Sequence, residues 1–246
     1  MNQRPIDFER ELNPEQLAAV LHPGGPQLVV AGAGSGKTRV ITYRIAWLVR
    51  ERGVDPRSIV AVTFTNKAAA EMRDRAERLL AAWPLETFLG TFHRYALRLL
   101  RAHGDRLGLP RDFAVLDDGD QRAIVVQAMA AEGVSETAFP PRSILSAISS
   151  AKNRLLAPDL YEKTAHDVFT QRVARVYRRY ESLRKRAAGV DFDDLLLYAV
   201  RLFDEEPELA ARLRGRVAHL LVDEFQDTNH AQLRLATELA APAFDL

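Results

Sequence analysis

The sequence predicts an α/β fold: a parallel sheet with helices on both faces, interrupted by an all-helical inserted subdomain. Three observations predict it. Short apolar, β-branched runs alternate with helical patterns through the first part of the chain. The alternation then stops, and from Leu109 to Gly189 no strand pattern occurs. After Gly189 it resumes, with one more apolar run ending in two acidic residues. These breaks divide the chain into a first sheet segment (1–108), a helical insertion (109–189) and a second sheet segment (190–246).

Asn13-Pro14-Glu15-Gln16 opens a helix to about Leu21, with Asn13 as N-cap and Pro14 at the first helical position. Gln16, three residues past the cap, reads as half of a capping box. His22-Pro23-Gly24-Gly25-Pro26 breaks the chain. Leu28-Val29-Val30 reads as a strand, and a helix follows from about Gly36 to Arg52, with Val40, Ile41, Ile45, Leu48 and Val49 at helical spacing. Ile59–Phe64 is a near-continuous β-branched run, as in a strand buried on both faces. Thr65-Asn66 starts a helix to about Ala82, Thr87–Gly90 is a third strand, and Thr91 caps a helix from Phe92 to about Gly104. The insertion carries helices near Asp118–Ala131, Pro141–Arg154 and His166–Ala188. The last bears Arg172, Arg175, Arg178, Arg179, Arg184, Lys185 and Arg186, a row that suits either a solvated face or a nucleic-acid-facing surface. Helices at Asp191–Phe203 and Pro207–Arg214 precede the strand Val217–Val222, and a helix runs from Asn229 to Ala240.

A length of 246 residues accommodates one large domain, or one with an insertion, and the 47% apolar fraction supplies a core. The net charge of +1 argues for no particular partner, so a nucleic-acid surface must be a local patch. With no cysteine, disulfides and thiolate metal centres are excluded and a reducing compartment fits. The 6 histidines lack ligand spacing, and no zinc is expected. The first residues form no signal peptide and no apolar run spans a bilayer, so the expectation is a cytoplasmic protein with no membrane partner.

The chemistry concentrates at Ala31-Gly32-Ala33-Gly34-Ser35-Gly36-Lys37-Thr38. A β-branched run, a glycine-rich loop, Lys-Thr and a helix in register form the context of a phosphate-binding loop. Its backbone N–H groups and the helix N-terminus face phosphate oxygens. Lys37 adds a full charge, and the Thr38 hydroxyl suits Mg²⁺. The general pattern begins with Gly where this chain has Ala31; a glycine-rich turn without a ligand is the plainer alternative. Asp223-Glu224 after the last strand is the expected second half of such a site. Asp223 would hold Mg²⁺ and Glu224 would orient and deprotonate the attacking water. The plainer alternative is an acidic helix-capping pair.

With both halves in hand, the sequence resembles the N-terminal part of the UvrD/PcrA/Rep group of superfamily 1 DNA helicases. Leu12–Gln16 resembles that family's Q motif, and Ala31–Thr38 its motif I, where Ala at the first position is usual. Val62–Met72 resembles motif Ia, Gly90-Thr91-Phe92-His93 motif Ib, and Val222–Asn229 motif II, whose Asp-Glu-x-Gln-Asp is the most specific of these. Asp191–Leu196 resembles the block that follows the helical insertion. The resemblance implies a RecA-like sheet, ATP and Mg²⁺ as cofactors, and 3′-to-5′ movement on single-stranded DNA in repair or replication, with DNA junctions as further partners. It implies that Gln16 reads the adenine edge, Arg39 lies beside the nucleotide, and Gln226 senses the γ-phosphate. Phe64, Thr91 and His93 would contact single-stranded DNA, by ring stacking and by phosphate hydrogen bonds. It also implies a second RecA-like domain, in cis or supplied by a partner, with arginines that complete the site. Without them the expectation is weak ATP binding, very slow hydrolysis and no unwinding. A short nucleotide-dependent single-stranded DNA-binding module is the alternative reading.

Overall fold

A computed structural model describes residues 6–32, 34–80 and 85–241. The chain forms two compact units. The first comprises the residues up to Arg94, Glu208–Thr228 and those from Ala236 on; the second comprises Tyr95–Pro207 and Asn229–Leu235.

In the first unit, β1 (Ile59–Thr63), β2 (Phe88–Thr91) and β5 (His219–Val222) form a parallel sheet in the order β2-β1-β5. Every residue of the central β1 is buried, which explains its unbroken apolar run. Helices α1 (Phe8–Glu11), α2 (Pro14–Val20), α3 (Lys37–Arg50) and α4 (Asn66–Leu80) belong to this unit. Ile45, Leu48 and Val49 of α3 and Met72, Ala76 and Leu80 of α4 pack with Ile59, Ala61 and Leu89 of the strands. Because the strands are parallel, their carboxyl ends share one edge, where ligands bind in open α/β sheets. The residues just past those ends are Phe64, Phe92 and Asp223.

The second unit contains α6 (Asp118–Ala131), α7 (Pro141–Asn153), α8 (Pro158–Glu162), α9 (Val168–Arg186) and α10 (Phe192–Glu205). Val125, Met129, Ile144, Ile148, Val173, Tyr177 and Tyr180 form its core. The remaining helices are α5 (Phe92–His103), α11 (Pro207–Arg214) and α12 (His230–Ala240). Asn229 and Gln232 start α12 with a reciprocal pair of backbone-to-side-chain hydrogen bonds at 3.1 and 2.9 Å.

The structure departs from the sequence expectations in two places and adds detail at a third. Leu28–Val30 is not a strand. It runs outside the sheet with exposures of 74%, 42% and 87%, and among the described residues no strand pairs with it. A β-branched run becomes a strand only against a partner, so composition alone misleads here. The stretch 109–189 does contain strand: β3 (Ala114–Val115) pairs in parallel with β4 (Gly189–Val190), a two-residue ladder too short to leave a pattern. The arginine row on α9 is largely committed within its own unit. Arg175 and Arg179 pair with Glu132 at 3.2 and 3.0 Å, and Arg178 with Glu162 at 2.5 Å. Arg184 is buried, 2.6 Å from Glu181 and 2.8 Å from Asp194. No helix among the described residues is long and apolar enough to cross a membrane.

Candidate active site

The phosphate loop leads into α3 through Gly36, whose φ of +91° is left-handed. The backbone conformation favours glycine, and a Cβ there would lie 2.8 Å from the Gln16 amide nitrogen and displace that side chain from the loop. No side chain caps α3, which leaves the N–H groups of its first turn available to an anion. Gly34 is also left-handed, with φ +76°. Ser35 closes the turn on itself, its hydroxyl donating to the Gly32 carbonyl at 2.7 Å. Ala31, Gly32, Gly34, Ser35 and Gly36 precede Lys37 and Thr38, and Ala33 lies outside the described residues.

Lys37 Nζ donates to the Ala31 carbonyl at 3.3 Å and lies 3.7 Å from Glu224 Oε1. This contact joins the two halves of the expected site. Asp223 is 5% exposed, and its amide donates to the Val62 carbonyl at 2.9 Å, so β1 fixes its backbone. Burial, and then the neighbouring Glu224 carboxylate, push the Asp223 carboxyl above its ordinary range. The Thr63 hydroxyl donates to Asp223 Oδ2 at 3.3 Å. Sequence reasoning missed Thr63. The available signal was its place at the end of a buried strand, but the alignment of Val62 with Val222 that makes it meet Asp223 is a property of the folded sheet.

Glu224 adopts φ +50°, ψ +46°, left-handed for a non-glycine residue. Such backbone costs on the order of 1–3 kcal/mol and collects at functional sites. It opens a 3-10 turn, Phe225–Asp227, and Gln226 Nε2 donates to Glu224 Oε2 at 2.6 Å. A cavity of about 700 Å³ is lined by Ala31, Lys37, Asp223, Glu224 and Gln226 together with apolar Leu28, Val29, Val30, Val40, Ile41 and Leu221.

Gln16 holds two positions at once. Its Oε1 accepts from the Asn13 amide at 3.2 Å, completing the capping box, and its Nε2 donates to the Ser35 carbonyl at 2.9 Å. The capping box is thus real, and the same side chain reaches the phosphate loop. Arg39 turns to the N-terminal helices, donating to the Glu11 carbonyl at 2.6 Å and the Tyr43 hydroxyl at 3.4 Å.

At the carboxyl edge of the sheet, Thr63 and Thr91 are register partners on β1 and β2. Phe64 therefore follows one strand and Phe92 the other, and their rings meet edge to face at 6.1 Å. The Thr91 hydroxyl accepts from the Arg94 amide at 3.2 Å and caps α5. His93 stands in the first turn of α5, where burial lowers its pKa to about 4.

The donor set fits a nucleotide with a divalent cation. The loop offers backbone donors and one ammonium group. The acidic pair holds a buried carboxyl whose charge is disfavoured by its neighbour, and a cation would relieve that. Thr38 and Asp223 are the residues with the chemistry to hold the ion.

A model of the UvrD/REP helicase N-terminal domain matches residues 12–244. A protein of Staphylococcus epidermidis described as ATP-dependent DNA helicase PcrA is 42% identical over 231 residues, 94% of this chain and 32% of that protein. Proteins of the same description from Bacillus subtilis and Staphylococcus aureus are 43% and 41% identical over 229 and 230 residues. The chain spans about a third of the length of these curated relatives. With the family model matching nearly all of it, the chain belongs to the UvrD/REP helicase family, as an N-terminal domain.

Proposed function

We propose that this chain is the ATP-binding front part of a DNA-unwinding motor. The observation that carries the reading is the 3.7 Å approach of Lys37 to Glu224, beside the buried Asp223. It sets a phosphate loop against an acidic pair that is remote in sequence, an arrangement suited to holding a nucleoside triphosphate and its Mg²⁺.

In this reading Gly32–Gly36 and the first turn of α3 cradle the phosphates and Lys37 neutralises the terminal ones. Thr38 and Asp223 hold Mg²⁺, which supplies charge neutralisation at the phosphates when bound. Glu224 orients and deprotonates the attacking water. Gln226, already hydrogen-bonded to Glu224, reports the γ-phosphate. Gln16 reads the adenine edge and Arg39 lies beside the nucleotide. Phe64, Thr91 and His93 meet single-stranded DNA at the carboxyl edge of the sheet, where β1 and β2 end in register. Residues 1–108 and 190–246 carry the nucleotide chemistry and 109–189 form the helical insertion. The resemblance favours 3′-to-5′ movement, with the second motor domain supplied in cis or by a partner.

Calorimetric titration of the purified chain with Mg-ATP tests this. Binding is expected in the native chain and is expected to disappear in Lys37→Ala with the fold intact by circular dichroism. Equal binding in both would overturn the reading.

A further inference from the structure

The helix that carries Gln16 is too short to hold itself in place. α2 has seven residues, and isolated helices below about 12 residues are marginal in water. The structure fastens it at both ends. At its start, the Asn13–Gln16 capping box fixes the first turn, and Gln16 Nε2 reaches the Ser35 carbonyl. At its end, one side chain does the work: Arg44 of α3 donates through Nη1 to the Val20 carbonyl at 2.8 Å and also to the His22 carbonyl. These carbonyls lie at and just beyond the end of α2. A cation there satisfies groups the helix leaves unpaired and complements its dipole.

Arg44 is 6% exposed, and its guanidinium lies 4.9 Å from the centre of the Trp47 ring. Leu12, Val20 and Tyr43 form the apolar contact between α3 and the N-terminal segment, with Leu17, Val40 and Trp47 packed around them. A closed circuit results. The phosphate loop starts α3, α3 holds the end of α2 through Arg44, and α2 returns Gln16 to the phosphate loop.

We infer that Arg44 is a positioning residue for nucleotide-base selection: by anchoring the end of α2 it sets where the Gln16 amide stands relative to the phosphate loop. The inference rests on the proposed role of Gln16 in reading adenine. Arg44 acts through Gln16. Its guanidinium donates to the Val20 and His22 carbonyls, and Arg44 also lines the cavity that Lys37 and Asp223 line, so a phosphate ligand without a base is the control for any direct part it takes in binding.

The test compares Mg-ATP, Mg-GTP and inorganic tripolyphosphate by calorimetric titration in the native chain, Arg44→Met, Arg44→Lys and Gln16→Ala. A well-placed amide that pairs with a base edge is worth roughly tenfold in discrimination. In Arg44→Met the ATP/GTP preference is expected to fall about tenfold, toward parity, with tripolyphosphate affinity within about twofold of native. Arg44→Lys is expected to restore part of the preference, because an ammonium can still reach one carbonyl. An unchanged ratio in Arg44→Met, or equal weakening of all three ligands, overturns the inference. If Arg44→Met does not fold, Arg44→Lys decides: an intermediate ratio supports the inference and a native ratio overturns it. Gln16→Ala separates the two claims. If it leaves the native ratio intact, the base-reading role fails and this inference with it. If it collapses the ratio while Arg44→Met does not, only the inference fails.

Discussion

His93 shows how one side chain carries both a stability and a binding consequence. Burial lowers its imidazole to about 4 from an ordinary 6.5. The unfolded chain therefore binds more protons than the folded one between those values. The stabilisation is complete above about pH 6.5 and is lost as pH falls through about 4. Urea unfolding from about pH 7 down to about pH 4 should show a steeper loss for the native chain than for His93→Gln. The difference should be on the order of 2 kcal/mol once partial exposure is allowed for. Parallel curves would mean that His93 protonates equally in both states. If His93 meets DNA as proposed, a neutral imidazole would meet phosphate as a hydrogen-bond donor and add no counter-ion. The phosphate loop was readable at this scale because its chemistry is local: Gly34, Gly36, Lys37 and Thr38 announce themselves by type and spacing. The double duty of Gln16 was half-readable. The cap lies within four residues, whereas the bond to Ser35 spans nineteen.

Elements are harder to read than residues, because pairing decides them. Leu28–Val30 has the composition of a strand and no partner among the described residues, so it presents exposed apolar side chains beside a cavity that β5 residues also line. Among the described residues β5 pairs with β1 on one side only. Exposed apolar runs and open edges invite association between chains. Sedimentation should show self-association rising with concentration, and Val30→Lys should reduce it; unchanged sedimentation would remove this edge from consideration. The start of α10 was legible as a cap and illegible as a charge centre. Asp191 and Asp194 do form a capping box. They also converge with Glu181 on Lys152, whose Nζ lies 2.5, 2.8 and 2.7 Å from Asp191, Asp194 and Glu181, while Arg184 holds Asp194 and Glu181. Nothing in the run containing Lys152 marks it as the centre of this network, because its partners lie on two other elements. Three carboxylates face two cations, and burial pushes Asp194 up to about 7. Lys152→Met leaves three buried carboxylates with one cation and should cost about 3–5 kcal/mol in chemical unfolding. A loss below about 1 kcal/mol would mean that the network relaxes without its lysine.

At the scale of the whole molecule the question is where a chain of net charge +1 would grip the polyanion that the proposed function requires. Charge counting pointed to α9, the most basic helix, and left open whether it faces solvent or nucleic acid. The structure gives part of that row carboxylate partners already. Arg175, Arg178 and Arg179 are ion-paired to Glu132, Asp159 and Glu162, and releasing them to phosphate would exchange a carboxylate contact for a phosphate contact. The carboxyl edge of the sheet offers a different mode. Under the proposed function Phe64 would supply a ring that accepts any base, with Thr91 and His93 beside it as hydrogen-bonding groups. Stacking is worth about 1–3 kcal/mol per base and depends little on salt, whereas phosphate contacts lose affinity steeply as salt rises. The two modes therefore separate in one experiment. Single-stranded DNA binding, measured by anisotropy across a salt series, should weaken about tenfold in Phe64→Ala with the salt slope kept. The combined variant Arg175→Gln, Arg178→Gln and Arg179→Gln should bind within about twofold of native with the same slope. A slope flattened by about two to three in the triple variant would place phosphates on α9 and make the helical unit the electrostatic grip.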